Sequence, residues 1–217
     1  MPIKKVIFDC DGVLVDSEIV AAEVVTQELS QLGTVISIQD YLTNYTGKTF
    51  RNILEYLKVD LHCSINEFIQ NAEHKVYENI RPIKGIHEVL DSIKLEKSVV
   101  SNSYLKQVKK SVEAIGIEHH FSDRYFSSSM VAKPKPSPMI YELAAQTLNV
   151  SPYDCLVIED SKTGVTAAKS ANMNVIGFCG GSHILNGHDK ALTSLGAESV
   201  AMNTTELAEI IADRILD

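Results

Sequence analysis

The chain has 217 residues, 45% of them hydrophobic and 22% charged, enough apolar material to bury a sizeable core and too much for a disordered chain. Lysine and arginine total 20 against 28 acidic residues, giving a net charge of −8 with the acids scattered. That balance argues against a nucleic-acid partner, and an anionic ligand would need a local cation or helix end to offset the field. Cys10, Cys63, Cys155 and Cys179 show no CxxC spacing, which points to buried free thiols. The chain enters a strand-like run at once and no apolar run reaches about 18 residues, so the expectation is a soluble cytoplasmic protein without membrane contact.

The first element, KKVIFD (residues 4–9), is apolar and β-branched and reads as a buried parallel strand. It runs into DCDG, where Asp9 and Asp11 stand two residues apart and would share a face of an extended strand. Two carboxylates that close repel, which implies either a shared proton or a divalent cation. Residues 16–82 then read as helix throughout, including SEIVAAEVVTQELSQLG and SINEFIQNAEHKVYENI, in which Ser64 and Glu67 form a capping box. A crossover of that size is too long for one connection and too structured for a loop. It is expected to be an inserted helical lid domain, with residues 1–15 and 83–217 forming the α/β core and Pro82 and Gly85 marking the return.

In the core, KSVVSN (97–102), CLVIED (155–160) and NVIGF (174–178) repeat the strand pattern, and RYFSS (124–128) is a weaker strand. Helical periodicity over 103–115 and 137–149 separates them, which predicts an α/β fold with a doubly wound, Rossmann-like parallel sheet. Ligands of such sheets bind beyond the carboxyl ends of the strands. Those ends deliver Asp9 and Asp11, then Ser101 and Asn102, then Glu159 and Asp160, while Lys135 lies in the loop after the weak strand. Asp9, Asp11, Glu159 and Asp160 make an all-oxygen set that suits Mg²⁺ and not zinc, and the chemistry it implies is phosphoryl transfer.

Each residue has a plainer reading in isolation: a polar strand end for the acids, a helix cap for Ser101, solvated charge for Lys133 and Lys135. Their convergence at one sheet edge carries the functional reading. TGKT (46–49) imitates a phosphate-binding loop, but Leu42 stands where that loop needs glycine and no strand precedes it. GFCGGSHILNG (177–187) reads as a glycine-rich loop after a strand rather than a nucleotide cradle. The seven histidines show no ligand spacing, and the adjacent His119 and His120 are expected to point apart on a helix.

Taken in order, DCDGVLVDSE, VVSNS, KPSP and VIEDSKTGVTAAKSANM resemble the four motifs of the haloacid dehalogenase superfamily, and most closely its helical-cap phosphatases and β-phosphoglucomutases. The resemblance implies that Asp9 is the nucleophile and forms an aspartyl-phosphate, and that Asp11 is the general acid and base. It implies Mg²⁺ on Asp9, Asp160 and the backbone carbonyl of Asp11, with Glu159 binding directly or through water. Ser101 and the Asn102 backbone N–H would hold phosphoryl oxygens, Lys135 would balance charge, and Gly12 would let the chain approach the phosphate. Lys133 competes for the charge-balancing role, but the alignment of KPSP favours Lys135.

Two departures are Met139, where the family often has aspartate, and Asn172, where it has glycine; asparagine tolerates a left-handed backbone. The β-phosphoglucomutases carry histidine at the position matching Ala21, so alanine there favours hydrolysis over mutase action. Lys48 and Arg51 in the lid are candidates to contact the remainder of the substrate. The expectation is a monomeric, Mg²⁺-dependent phosphatase of a sugar or polyol phosphate. The alternatives are a phosphosugar mutase, a non-catalytic phosphometabolite sensor, and a receiver-like signalling protein, although receivers lack a helical insertion of this size.

Overall fold

The computed structural model describes residues 2–216. Six strands among them form one parallel sheet: β1 (Lys5–Phe8), β2 (Glu96–Ser101), β3 (Tyr125–Ser127), β4 (Cys155–Glu159), β5 (Asn174–Phe178) and β6 (Ser199–Ala201), in spatial order β3-β2-β1-β4-β5-β6. Helices α1 (Ser17–Gln31), α2 (Ile38–Asn44), α3 (Phe50–Leu57) and α4 (Ile65–Glu78) follow the first strand, and α5 (Ile86–Ser92) then leads into the second. The rest are α6 (Leu105–Ala114), α7 (Met139–Thr147), α8 (Lys162–Ser170), α9 (His188–Ser194) and α10 (Thr204–Leu216). None of the described helices is long and apolar enough to cross a membrane.

Alternating side chains of each strand feed two apolar layers. Val6 and Phe8 join Val89, Val108 and Ile211 from α5, α6 and α10. Ile7 and Val157 join Ile140, Val165 and Leu192 from α7, α8 and α9. Helices on both faces are why these strands read as continuous apolar runs rather than alternating ones. Each fully buried aliphatic or aromatic side chain of these layers contributes about 1.5–3 kcal/mol of transfer free energy.

The sequence-based strand positions stand to within a residue or two, but β6 was not anticipated. Its Ser-Val-Ala run is short and half-buried at the sheet edge, too weak a pattern to register. Asn172, just after α8, has φ +60, the left-handed conformation expected of it. Cys10, Cys155 and Cys179 are buried free thiols, whereas Cys63 is exposed and corrects the expectation for that residue.

Helices α1–α4 pack around an apolar cluster of their own, with Val25, Leu29, Ile53 and Phe68 among its buried members. Ser64 caps α4 by accepting from the Glu67 N–H at 3.2 Å. The two chain segments that join this helical unit to the sheet run side by side: Asp16 N–H donates to Arg81 O at 2.9 Å and Ile83 N–H to Leu14 O at 3.0 Å. Strand register then sets the site. Phe8 lies opposite both Val99 of β2 and Ile158 of β4, so the next residue, Asp9, leaves the sheet level with Val100 and Glu159.

Candidate active site

Asp9, at the end of β1, is 7% exposed and sits against a buried lysine from the loop after β3. Lys135 Nζ bridges Asp9 Oδ1 and Glu159 Oε1 at 2.5 Å each and donates to Val100 O at 3.1 Å. Burial works against the charge on Lys135, but Asp9 and Glu159 outweigh it and hold the ammonium well above its ordinary pKa. Lys133 is exposed, so the geometry assigns the buried position to Lys135. The Asn102 side chain clamps the same loop, accepting from Lys135 N–H at 2.9 Å and donating to Lys135 O at 3.2 Å. The sequence offered only the Asn102 backbone for a role; its amide side chain positions the lysine.

Asp11 faces a different set of partners. Its Oδ1 accepts from Ser17 Oγ at 2.8 Å, and its Oδ2 accepts from Ser103 Oγ at 2.9 Å and Ser101 Oγ at 3.2 Å. Three hydroxyls therefore orient one carboxylate, and Ser103 had gone unnoticed although it closes the VVSNS motif. Ser101 also accepts the Ser103 N–H at 3.0 Å, while Tyr104 occupies the cap position of α6. Gly12 has φ +81, and a Cβ there would collide with the Asp160 carboxylate, so the turn just after Asp11 requires glycine.

Glu159 is wholly buried, with both carboxylate oxygens engaged. Besides Lys135, its Oε1 accepts from Tyr141 Oη at 2.7 Å, and its Oε2 accepts from Ser161 Oγ at 3.0 Å. Gly164 of α8 lies flush against this carboxylate, where any Cβ would overlap it.

Carboxylate oxygens of Asp9, Glu159 and Asp160 lie within 4.8 Å of one another. The Asp11 side chain is not in that group. Burial pushes the Asp9 carboxyl well above its ordinary range, opposed by Lys135 and reinforced by Glu159, Asp160 and Asp11. Burial also raises Asp160, with Glu159 adding to it. Three clustered carboxylates, with the charge of Asp11 nearby and one buried lysine facing them, leave an excess of negative charge that a cation would neutralise. Oxygen-only donors with no cysteine or histidine between them fit a hard divalent ion such as Mg²⁺.

A cleft of about 830 Å³ opens over these residues, walled on the far side by Glu18, Ala21 and Tyr41 and by the loop from Thr46 to Phe50. Glu18 in the first turn of α1 escaped the sequence reading. Burial, with help from Asp11 and Asp160 and against His183, raises its carboxyl to about 7. Lys48 lines the cleft, its Nζ held 5.3 Å and 5.6 Å from the ring centroids of Tyr45 and Tyr56. Arg51, in the first turn of α3, does not line it; its guanidinium donates to Asn66 Oδ1 at 2.5 Å. His119 and His120, expected to diverge, lie on a single 3₁₀ turn with ring centroids 4.0 Å apart.

A family described as haloacid dehalogenase-like hydrolase matches residues 6–178 of the chain. A 6-phosphogluconate phosphatase of Escherichia coli (strain K12) is 26% identical over 189 residues, covering 83% of this chain and 85% of that protein. A phosphorylated carbohydrates phosphatase of Thermotoga maritima is 30% identical over 203 residues, covering 88% of this chain and 91% of that one. Among solved structures, a HAD family hydrolase from Deinococcus radiodurans R1, crystallised with bound phosphate and sodium, superposes with a TM-score of 0.85 at 28% identity, covering 98% of this chain and 96% of that one.

Proposed function

The chain belongs to the haloacid dehalogenase-like hydrolases, and from that premise we propose that it is a Mg²⁺-dependent phosphatase hydrolysing a small sugar or polyol phosphate through an aspartyl-phosphate on Asp9. One observation carries the reading: a buried, lysine-bridged carboxylate stands beside a second carboxylate held only by hydroxyls. That asymmetry gives two neighbouring acids different work.

A carboxylate oxygen of Asp9 attacks phosphorus in line, and the P–O bond to the substrate's alcohol breaks. Asp11, protonated at that stage, donates its proton to the leaving oxygen. It then takes a proton from the water that attacks the phosphorus of the aspartyl-phosphate, which releases inorganic phosphate and restores the Asp9 carboxylate. Ser17, Ser101 and Ser103 keep Asp11 aimed through both steps. Lys135 offsets charge between Asp9 and the phosphoryl oxygens. Asp9, Asp160 and the Asp11 backbone carbonyl, with Glu159 beside them, would hold a divalent ion such as Mg²⁺, which would supply neutralising charge to the phosphoryl oxygens.

The helical unit of residues 16–82 acts as the lid, closing over the cleft to exclude water and select the leaving group. Lys48 and Glu18 offer it charged and polar contacts with a hydroxylated or acidic substrate. Ala21 lines the cleft without a titratable group, which supports hydrolysis over phosphoryl return to the sugar. The names of the relatives from E. coli and T. maritima support phosphorylated carbohydrates as the substrate class. The test is inorganic phosphate release from a panel of sugar phosphates, polyol phosphates, phosphoglycolate and nucleotides, in Mg²⁺ or in EDTA. Metal-dependent release highest with sugar or polyol phosphates is expected; sugar-phosphate interconversion without phosphate release would overturn the hydrolytic reading.

A further inference from the structure

Asp160 is gripped from two sides by one loop. After β5 the chain reads Gly180-Gly181-Ser182-His183 and enters α9 at His188. His183 Nε2 lies 3.0 Å from Asp160 Oδ2, with its side chain 8% exposed. His188 Nε2 lies 2.5 Å from the Asp160 carbonyl oxygen, and since a carbonyl only accepts, that nitrogen carries the proton. Buried imidazole nitrogens are normally paired, yet His183 Nδ1 has no partner among the described residues. The ring is thus committed to Asp160 through Nε2 alone.

Two glycines make room for it. A Cβ on Gly181 would stand 2.8 Å from both Cε1 and Nδ1 of the ring, and one on Gly12 would stand 2.8 Å from Cε1. The loop is tied down on the side of the lid connection: Ser182 N–H donates to Asp16 Oδ1 at 3.0 Å and Ser182 Oγ donates to Asp16 Oδ2. A carboxylate that binds an ion through one oxygen keeps the other for a partner that fixes its orientation, and such outer partners set metal affinity.

We propose that His183 and His188 are positioning residues that preset the Asp160 side chain and backbone for the divalent ion, with Gly181 as the space-maker that lets His183 reach it. This rests on the reading of Asp160 as a metal ligand. It gives the glycine-rich loop after β5 a role in the site: from the wall of the cleft, the loop aims an acid. His183→Ala then weakens Mg²⁺ binding by about ten- to a hundredfold. His183→Gln, which retains an N–H donor at a similar reach, stays within about threefold of wild type, and Gly181→Ala, which displaces the ring without removing it, weakens binding as His183→Ala does.

The experiment is isothermal titration of metal-free protein with Mg²⁺ alone, on wild type, Asp160→Asn, His183→Ala, His183→Gln, His188→Ala and Gly181→Ala, with the melting temperature of each in EDTA as the check of folding. Weakened binding in His183→Ala, His188→Ala and Gly181→Ala, recovered in His183→Gln, with EDTA melting near wild type, is the expected result. Wild-type affinity in the histidine variants while Asp160→Asn loses the ion would overturn the positioning role and leave the metal site standing. Equal affinity in wild type and Asp160→Asn would overturn the metal reading itself. Equal losses in His183→Ala and His183→Gln would show that the ring only fills space and would overturn the donor argument.

Discussion

Glu18 is a carboxylate that the folded protein holds against its own charge. Its carboxyl rises from an ordinary 4.5 to about 7, through burial first and the charges of Asp11 and Asp160 after it, with His183 opposing. The unfolded chain releases this proton near the ordinary value and the folded chain near 7, so between them the folded state binds more protons and stability falls as pH rises. At 1.36 kcal/mol per unit the penalty grows to about 3 kcal/mol above pH 7 and is nearly absent below the ordinary carboxyl pKa. Glu18→Gln keeps the shape and removes the titration. Urea unfolding of metal-free protein in EDTA should therefore show the variant close to wild type at acidic pH and more stable by about 2–3 kcal/mol at mildly alkaline pH. A gap that stays constant across that range would refute the reasoning, because a group that does not titrate on folding cannot make stability depend on pH.

Other consequences concern the rest of the site. Lys135→Met leaves Asp9 and Glu159 buried without their cation and should cost about 3–5 kcal/mol in urea unfolding, with phosphate release lost; wild-type stability would contradict the bridging role. Gly164→Ala drives a methyl group into the Glu159 carboxylate, and a loss of about 1–3 kcal/mol is expected from thermal unfolding, against no change if that contact is loose. Lys48→Ala should raise KM for the preferred substrate by about tenfold, some 1.4 kcal/mol, with kcat little altered; an unchanged KM across the whole panel would remove Lys48 from recognition.

The strands and what they deliver were legible because a parallel sheet buried on both faces writes each strand as an apolar run, and the register brings the polar residues that end these runs to one edge. That logic located Asp9, Asp11, Ser101, Glu159 and Asp160, and the KPSP loop located Lys135. It could not find partners fixed by packing angle. Tyr141 sits among apolar positions of α7 and looks like core, yet its hydroxyl reaches Glu159, 18 residues on. Glu18 looks like any acid in a first helical turn; only the packing of the helical unit beside the sheet edge half-buries it. Arg51 and Lys48, three residues apart, looked equivalent, and the start of α3 sends one toward Asn66 and the other into the cleft. His183 was visible only as part of a glycine-rich loop, since its partner Asp160 is distant in sequence and close only because β4 and β5 pair side by side in parallel.

The nucleophilic role of Asp9 is the claim on which the rest depends. The direct test is acid quench of the enzyme during turnover of its best substrate, followed by mass analysis of the peptide spanning residues 5–16. A fraction of that peptide is expected to be heavier by one phosphoryl group, labile to hydroxylamine, dependent on Mg²⁺, and absent in Asp9→Asn, which also releases no phosphate. Phosphate release at wild-type rate from Asp9→Asn, with no phosphorylated peptide in either protein, would contradict the nucleophilic role and leave direct attack by water in its place.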